Sequence, residues 1–193
     1  MNQALRDELL AMQQEDARVR EELIASGLLG DGYHPGMEAV HRKNAARLSE
    51  MVGNHGWPGR RLVGEEGAYA AWLVLQHAIA EPDLQRECLP LLQKAAAEGD
   101  IPAWQPAYLM DRICFFEGRP QIYGTQSDWN DEGVMSMWHV VDAQRLDQLR
   151  RSVGLPPLGD QRTDSSAPPV SLEKVIAHRE EMNSWARKVG WRK

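Results

Sequence analysis

The chain has 193 residues, with 22 Lys and Arg against 28 Asp and Glu and a net charge of −6. Its cations are dispersed among carboxylates along predicted helices and form no basic stripe, so neither DNA nor RNA is an expected partner. A 42% hydrophobic fraction and this length fit one domain with a real core, and no apolar run reaches the ~18 residues of a membrane span.

Cys88 and Cys114 lack CxxC spacing and carry no disulfide framework. The opening MNQALRDELL has no basic-then-apolar export signal, so a cytoplasmic protein is expected.

In chain order, residues 2–25 place Leu5, Leu9, Met12, Val19 and Leu23 on one helical face, interrupted at Asp16. A Gly-rich turn leads to a second helix over 36–52, with Pro35 suited to its first turn. Its seam reads Met37, His41, Asn44, Leu48, Met51, and two of these five are polar. Residues 54–59 form a loop, because Pro58 biases Trp57 away from helix. The third helix, 65–80, is apolar nearly all round and therefore central, which leaves Gln76 and His77 where partners are obligatory.

Residues 83–98 read as helix with Pro90 kinking or dividing it, and 106–117 as helix with Tyr108, Asp111 and Phe115 on one face. Two β-favouring stretches, 120–126 and 134–141, flank an Asn/Asp/Gly turn and predict a hairpin. Asp142 caps a helix through 153. Residues 159–169 are a polar Gly/Ser/Pro linker. Ser171 caps a last amphipathic helix, expected to dock on the domain or on another subunit as a homo-oligomer contact. The expected fold is mainly α, a single-domain helical bundle over 1–158 with one small hairpin at about 120–141, then the linker 159–169 and the C-terminal helix 170–193.

Polar residues therefore recur on faces that periodicity assigns to the core: Asp16, His41, Asn44, Gln76, His77 and Asp111. A buried polar group without a hydrogen bond costs about 1–3 kcal/mol, so such groups find one another or line a wet cavity. A polar pocket inside the bundle is the expectation, against the plainer reading of separate, satisfied core hydrogen bonds. In the segment 121–126, Gln121, Tyr123 and Thr125 share one face of a regular strand, and a bulge at Gly124 returns Gln126 to that face. Two amides and a phenol suit the orientation of a small polar substrate.

Common catalytic signatures are absent: HExxH, paired CxxC, GxxxxGK[ST], GxGxxG after a strand and GxSxG. Glu38-x-x-His41 has the spacing of a helical metal half-site, but no second such pair follows it. A single mononuclear site from His41, His77 and a carboxylate is the remaining metal option, and the expected chemistry needs neither metal nor cofactor.

Several motifs follow one another in order. They are His55-Gly56-Trp57-Pro58, Leu62-Val63-Gly64, Ala71-Trp72-Leu73 through Gln76-His77-Ala78, and Ala107-Tyr108-Leu109 with Asp111-Arg112. Pro120-Gln121 with Tyr123-Gly124-Thr125-Gln126 comes next, then Val141-Asp142 with Arg145 and Gly154-Leu155-Pro156-Pro157-Leu158. In this order they resemble a bacterial domain family of unknown function, over about residues 16–158. The resemblance implies a coherent folding unit and no particular activity. His41 and the extension after Gly159 depart from the family pattern.

The expected function is an enzyme acting on a small polar metabolite or modified amino acid by metal-independent acid–base catalysis. Hydrolysis, elimination and cyclisation all fit. His77 is the general base or acid, since imidazole is the side chain that titrates near neutrality, and Asp111 or Asp16 orients it. Tyr123 joins His77 and Asp111 as catalytic, while Asp16, His41, Asn44, Gln76, Arg112, Gln121 and Gln126 hold substrate or stabilise developing charge. The alternatives are a non-catalytic binding module, either a ligand sensor or an immunity-type protein, and a mononuclear metalloenzyme.

Overall fold

A computed structural model describes residues 1–28, 32–158 and 168–193. Among them are seven helices and one antiparallel hairpin, so the protein is mainly α. Contacts divide the chain into two compact units, Met1–Ile101 and Pro102–Lys193. No helix among the described residues is long and apolar enough to cross a membrane.

The first unit contains α1 (Gln3–Ala25), α2 (Pro35–His55), α3 (Arg60–His77) and α4 (Pro82–Ala97). The Asn2 side chain accepts from Leu5 N and caps α1, and Pro35 opens α2 where its missing N–H costs nothing. Within α3, Gly64 takes φ +74°, a left-handed conformation that interrupts the helix, so the long run carrying His77 starts at Glu65 as the periodicity predicts. That run stops at His77 rather than at residue 80. Glu81, which precedes Pro82, is non-helical, with φ −124° and ψ 69°, and Pro82 starts the next helix. Pro90 does not divide α4, which continues through it. The core includes Leu9, Leu48, Val63, Leu75 and Leu92, all fully buried. α1 packs chiefly on α3 and also on α2.

The second unit contains α5 (Trp104–Phe116), β1 (Ser127–Trp129), β2 (Met135–Met137), α6 (Leu146–Ser152) and α7 (Leu172–Val189). Ser127 pairs with Met137 and Trp129 with Met135. The hairpin is shorter than predicted, and residues 120–126 are not a strand. Gln121 makes a single bridge to Val140, and the N–H groups of Ile122, Tyr123 and Thr125 go to the Asp111 carboxylate instead of a ladder. Asp142 caps a turn, accepting from Gln144 N and Arg145 N, so α6 starts at Leu146 rather than directly after Asp142. Ser171 caps α7 as predicted.

The seam of α7 is buried within its own unit at Val175 and Ala186. Phe116 stacks on Trp191, and Arg192 donates to Phe116 O at 2.7 Å. Most of the expected linker, residues 159–167, lies outside the described residues.

Candidate functional site

Three helices of the first unit each deliver one polar side chain to a common point. Asp16 is 4% exposed and His41 8% exposed, and both stand on seams that are otherwise apolar. His77 ends α3, where its side chain keeps 32% exposure and reaches the surface. His77 Nδ1 lies 2.5 Å from Asp16 Oδ2, and His41 Nε2 lies 3.2 Å from the same oxygen. The His41 contact has ion-pair distance without hydrogen-bond alignment, so that buried Nε2 has no hydrogen-bond partner among the described residues. On its other side, His41 Nδ1 is 2.8 Å from the Tyr33 hydroxyl. The two imidazole centroids are 5.0 Å apart.

The electrostatics follow from this geometry. Burial alone would push the Asp16 carboxyl up, but the two imidazoles outweigh burial and hold it well below the usual carboxylate range. Asp16 is therefore the ionised centre of the cluster. The Tyr33 phenol is pushed up, first by its burial and then by nearby carboxylates, so it stays a neutral hydroxyl.

Other predicted residues of this unit have different employment. Asn44 donates to Met12 O at 3.2 Å, tying α2 to α1. Gln76 is 2% exposed, and neither of its amide atoms finds a partner among the described residues. Gln85, which the seam analysis passed over, is fully buried and donates to Leu75 O at 2.8 Å, closing the end of the helix that carries His77.

Asp111 belongs to a separate arrangement in the second unit. Its two oxygens accept from the N–H groups of Ile122, Tyr123 and Thr125 and from the Thr125 hydroxyl, at 2.7–3.1 Å. Burial pushes its pKa up, only partly offset by these donors. Gln121 donates to Gln126 O and Trp138 O and accepts from Gln126 N, while Gln126 Nε2 donates to Thr125 Oγ1. Arg150, 4% exposed, clamps the same loop from Nη1 to Tyr123 O at 2.8 Å and from Nε to Pro156 O at 2.7 Å. Arg112 is partly exposed as a residue, but burial of its guanidinium pulls it down to about 10, and its Nε has no hydrogen-bond partner among the described residues. Asp111 is thus engaged in holding a loop, and the carboxylate that orients His77 is Asp16.

Tyr33 and Arg150 were missed by the sequence reading. Tyr33 lies in the turn before α2, where no periodicity places it. Arg150 sits on a short helix among other charged residues, and only its burial separates it from them. A cleft of about 460 Å³ also runs along the hairpin of the second unit, between Trp129, Trp138 and Arg179.

No curated protein and no solved structure matches this chain. A family of unknown function (DUF6624) matches it over residues 3–163, which takes in the Asp16, His41 and His77 cluster and the Asp111 loop but not α7, and the chain belongs to that family.

Proposed function

We propose that the protein is a cytoplasmic enzyme that acts on a small polar metabolite or modified amino acid by acid–base chemistry, with His77 as the group that moves the proton. One observation carries this reading. The imidazole of His77 is tied through Nδ1 to a buried, ionised carboxylate, while its Nε2 has no hydrogen-bond partner among the described residues and the side chain reaches the surface. With the Nδ1 proton directed at Asp16, Nε2 carries the lone pair, which can take a proton from substrate. Asp16 stabilises the imidazolium that results, and the proton then returns to a leaving group. His41 and Tyr33 back the carboxylate from its other side. Hydrolysis, elimination and cyclisation are all served by this arrangement. Two buried, unpaired thiols, Cys88 and Cys114, agree with a reducing compartment.

A second reading, a non-catalytic binding module, is favoured by the Asp111 loop, whose carboxylate and amides are spent on its own main chain. The two readings separate in one experiment. Full-length protein is incubated with a cell metabolite extract, and depletion is followed by mass spectrometry beside His77→Gln, whose folding is checked by circular dichroism. Depletion of a compound by the wild type and not by the folded variant supports catalysis. Equal depletion by both, or none by either, overturns it.

A further inference from the structure

We infer that Asp16, His41 and His77 form a binding site for one divalent transition-metal ion of zinc type. One ligand atom from each of the three lies within 4.8 Å of the others. Two imidazoles and one carboxylate on three separate helices make a donor set of nitrogen and oxygen that favours zinc, cobalt or nickel over magnesium or calcium. Ligands of one ion at ~2.1 Å stand about 3–3.4 Å apart. His41 Nε2 and Asp16 Oδ2 already have that spacing, at 3.2 Å.

His41 Nε2 is also a buried nitrogen with no hydrogen-bond partner among the described residues. A buried polar atom left so is costly, and a metal ion would use its lone pair. The Tyr33 hydroxyl, 2.8 Å from Nδ1, can accept a hydrogen bond from the Nδ1–H and so fix the tautomer that frees Nε2, as outer partners of metal-bound histidines do. His77 must retreat from its 2.5 Å hydrogen bond to reach ligand spacing. Its position at a helix end, partly in solvent, permits this. The ion takes the place of the proton shared between His77 Nδ1 and Asp16, and the ring proton moves to Nε2, so that His77 ligates as a neutral imidazole. The three ligands leave coordination positions open towards the surface that His77 reaches.

This site shares its side chains with the acid–base reading and competes with it, since an ion on His77 Nδ1 displaces the proton that reading directs at Asp16; metal binding itself does not depend on catalysis. The test is titration of Zn²⁺ alone into chelator-stripped full-length protein by calorimetry, with Co²⁺ absorption as the probe of ligand type. The expected result is one equivalent per chain and visible Co²⁺ bands without a thiolate band in the near ultraviolet. Tyr33→Phe should weaken binding about 10–100-fold. His41→Ala should abolish the stoichiometric site, and His55→Ala should leave it intact. Should His41→Ala not fold, Tyr33→Phe and the wild-type Co²⁺ spectrum decide the matter. Absence of stoichiometric binding overturns the inference. So does a thiolate band, or binding that Tyr33→Phe leaves unchanged. Loss of metal binding leaves the acid–base reading standing, and turnover unaffected by His77→Gln ends that reading without touching this one.

Discussion

Asp16 and Asp111 are both aspartates buried on helix seams, yet the two units use them in opposite ways. Asp16 faces side chains: two imidazoles hold it ionised, and one of them opens to solvent. Asp111 faces main chain, accepting from three backbone N–H groups and a hydroxyl of a single loop. The first arrangement has titratable partners whose protons can move. The second has donors that cannot be deprotonated under ordinary conditions, so it does the work of a fold element. The environment of a buried carboxylate, more than its burial, marks a candidate for chemistry.

Mutation can sharpen this contrast or break it. The largest expected effect is at His77. His77→Gln should lower turnover about 10²–10⁴-fold, measured on whichever compound the extract screen yields, with little change in the urea midpoint because the side chain is partly exposed. Asp111→Ala should do the reverse, costing about 3 kcal/mol or more in urea unfolding because several buried N–H groups lose their acceptor. If Asp111→Ala keeps its stability and loses only turnover, the division between the two carboxylates is wrong.

Gly124 tests the loop from the other side. It adopts φ +66°, and an added Cβ would stand 2.6 Å from Met137 Sδ. Gly124→Ala should therefore destabilise the protein by about 1–2 kcal/mol, with denaturant unfolding as the measurement.

The smallest effects are in the pH dependence of stability. The Asp16 carboxyl lies below its usual value near 3.8 in the folded protein. Its contribution is therefore present above that value and is lost as pH falls below it, towards the folded value. The Asp111 carboxyl lies above the same value, so its ionisation opposes folding as pH rises past it. Asp16→Asn should flatten the acid limb of a stability–pH curve and Asp111→Asn should steepen it. Parallel curves for the two variants would remove the electrostatic distinction.

Much of the scaffold was legible because it follows from local physics. Pro35 and Ser171 mark helix starts through a missing N–H or capping, and the apolar periods of α1 and α2 pick out Asp16 and His41 as intruders on a buried face. The strand expected over 120–126 failed for a non-local reason: a carboxylate on α5 draws off the N–H groups that a ladder would use. Helix α6 begins three residues late because Asp142 caps a turn before it. Gln121 and Gln126 have the composition of a substrate cradle, but the Gln121 amide is consumed by the backbone of Gln126 and Trp138, and the Gln126 amide nitrogen donates to the Thr125 hydroxyl.

By itself the sequence determined a mainly α protein and the polar residues that had to find partners, since periodicity and the cost of burial act along each helix separately. Which polar residue meets which was decided by tertiary structure alone. The choice of Asp16 over Asp111 for His77 depends on how α1, α2 and α3 pack, and helical spacing carries no information about a neighbour 61 residues away.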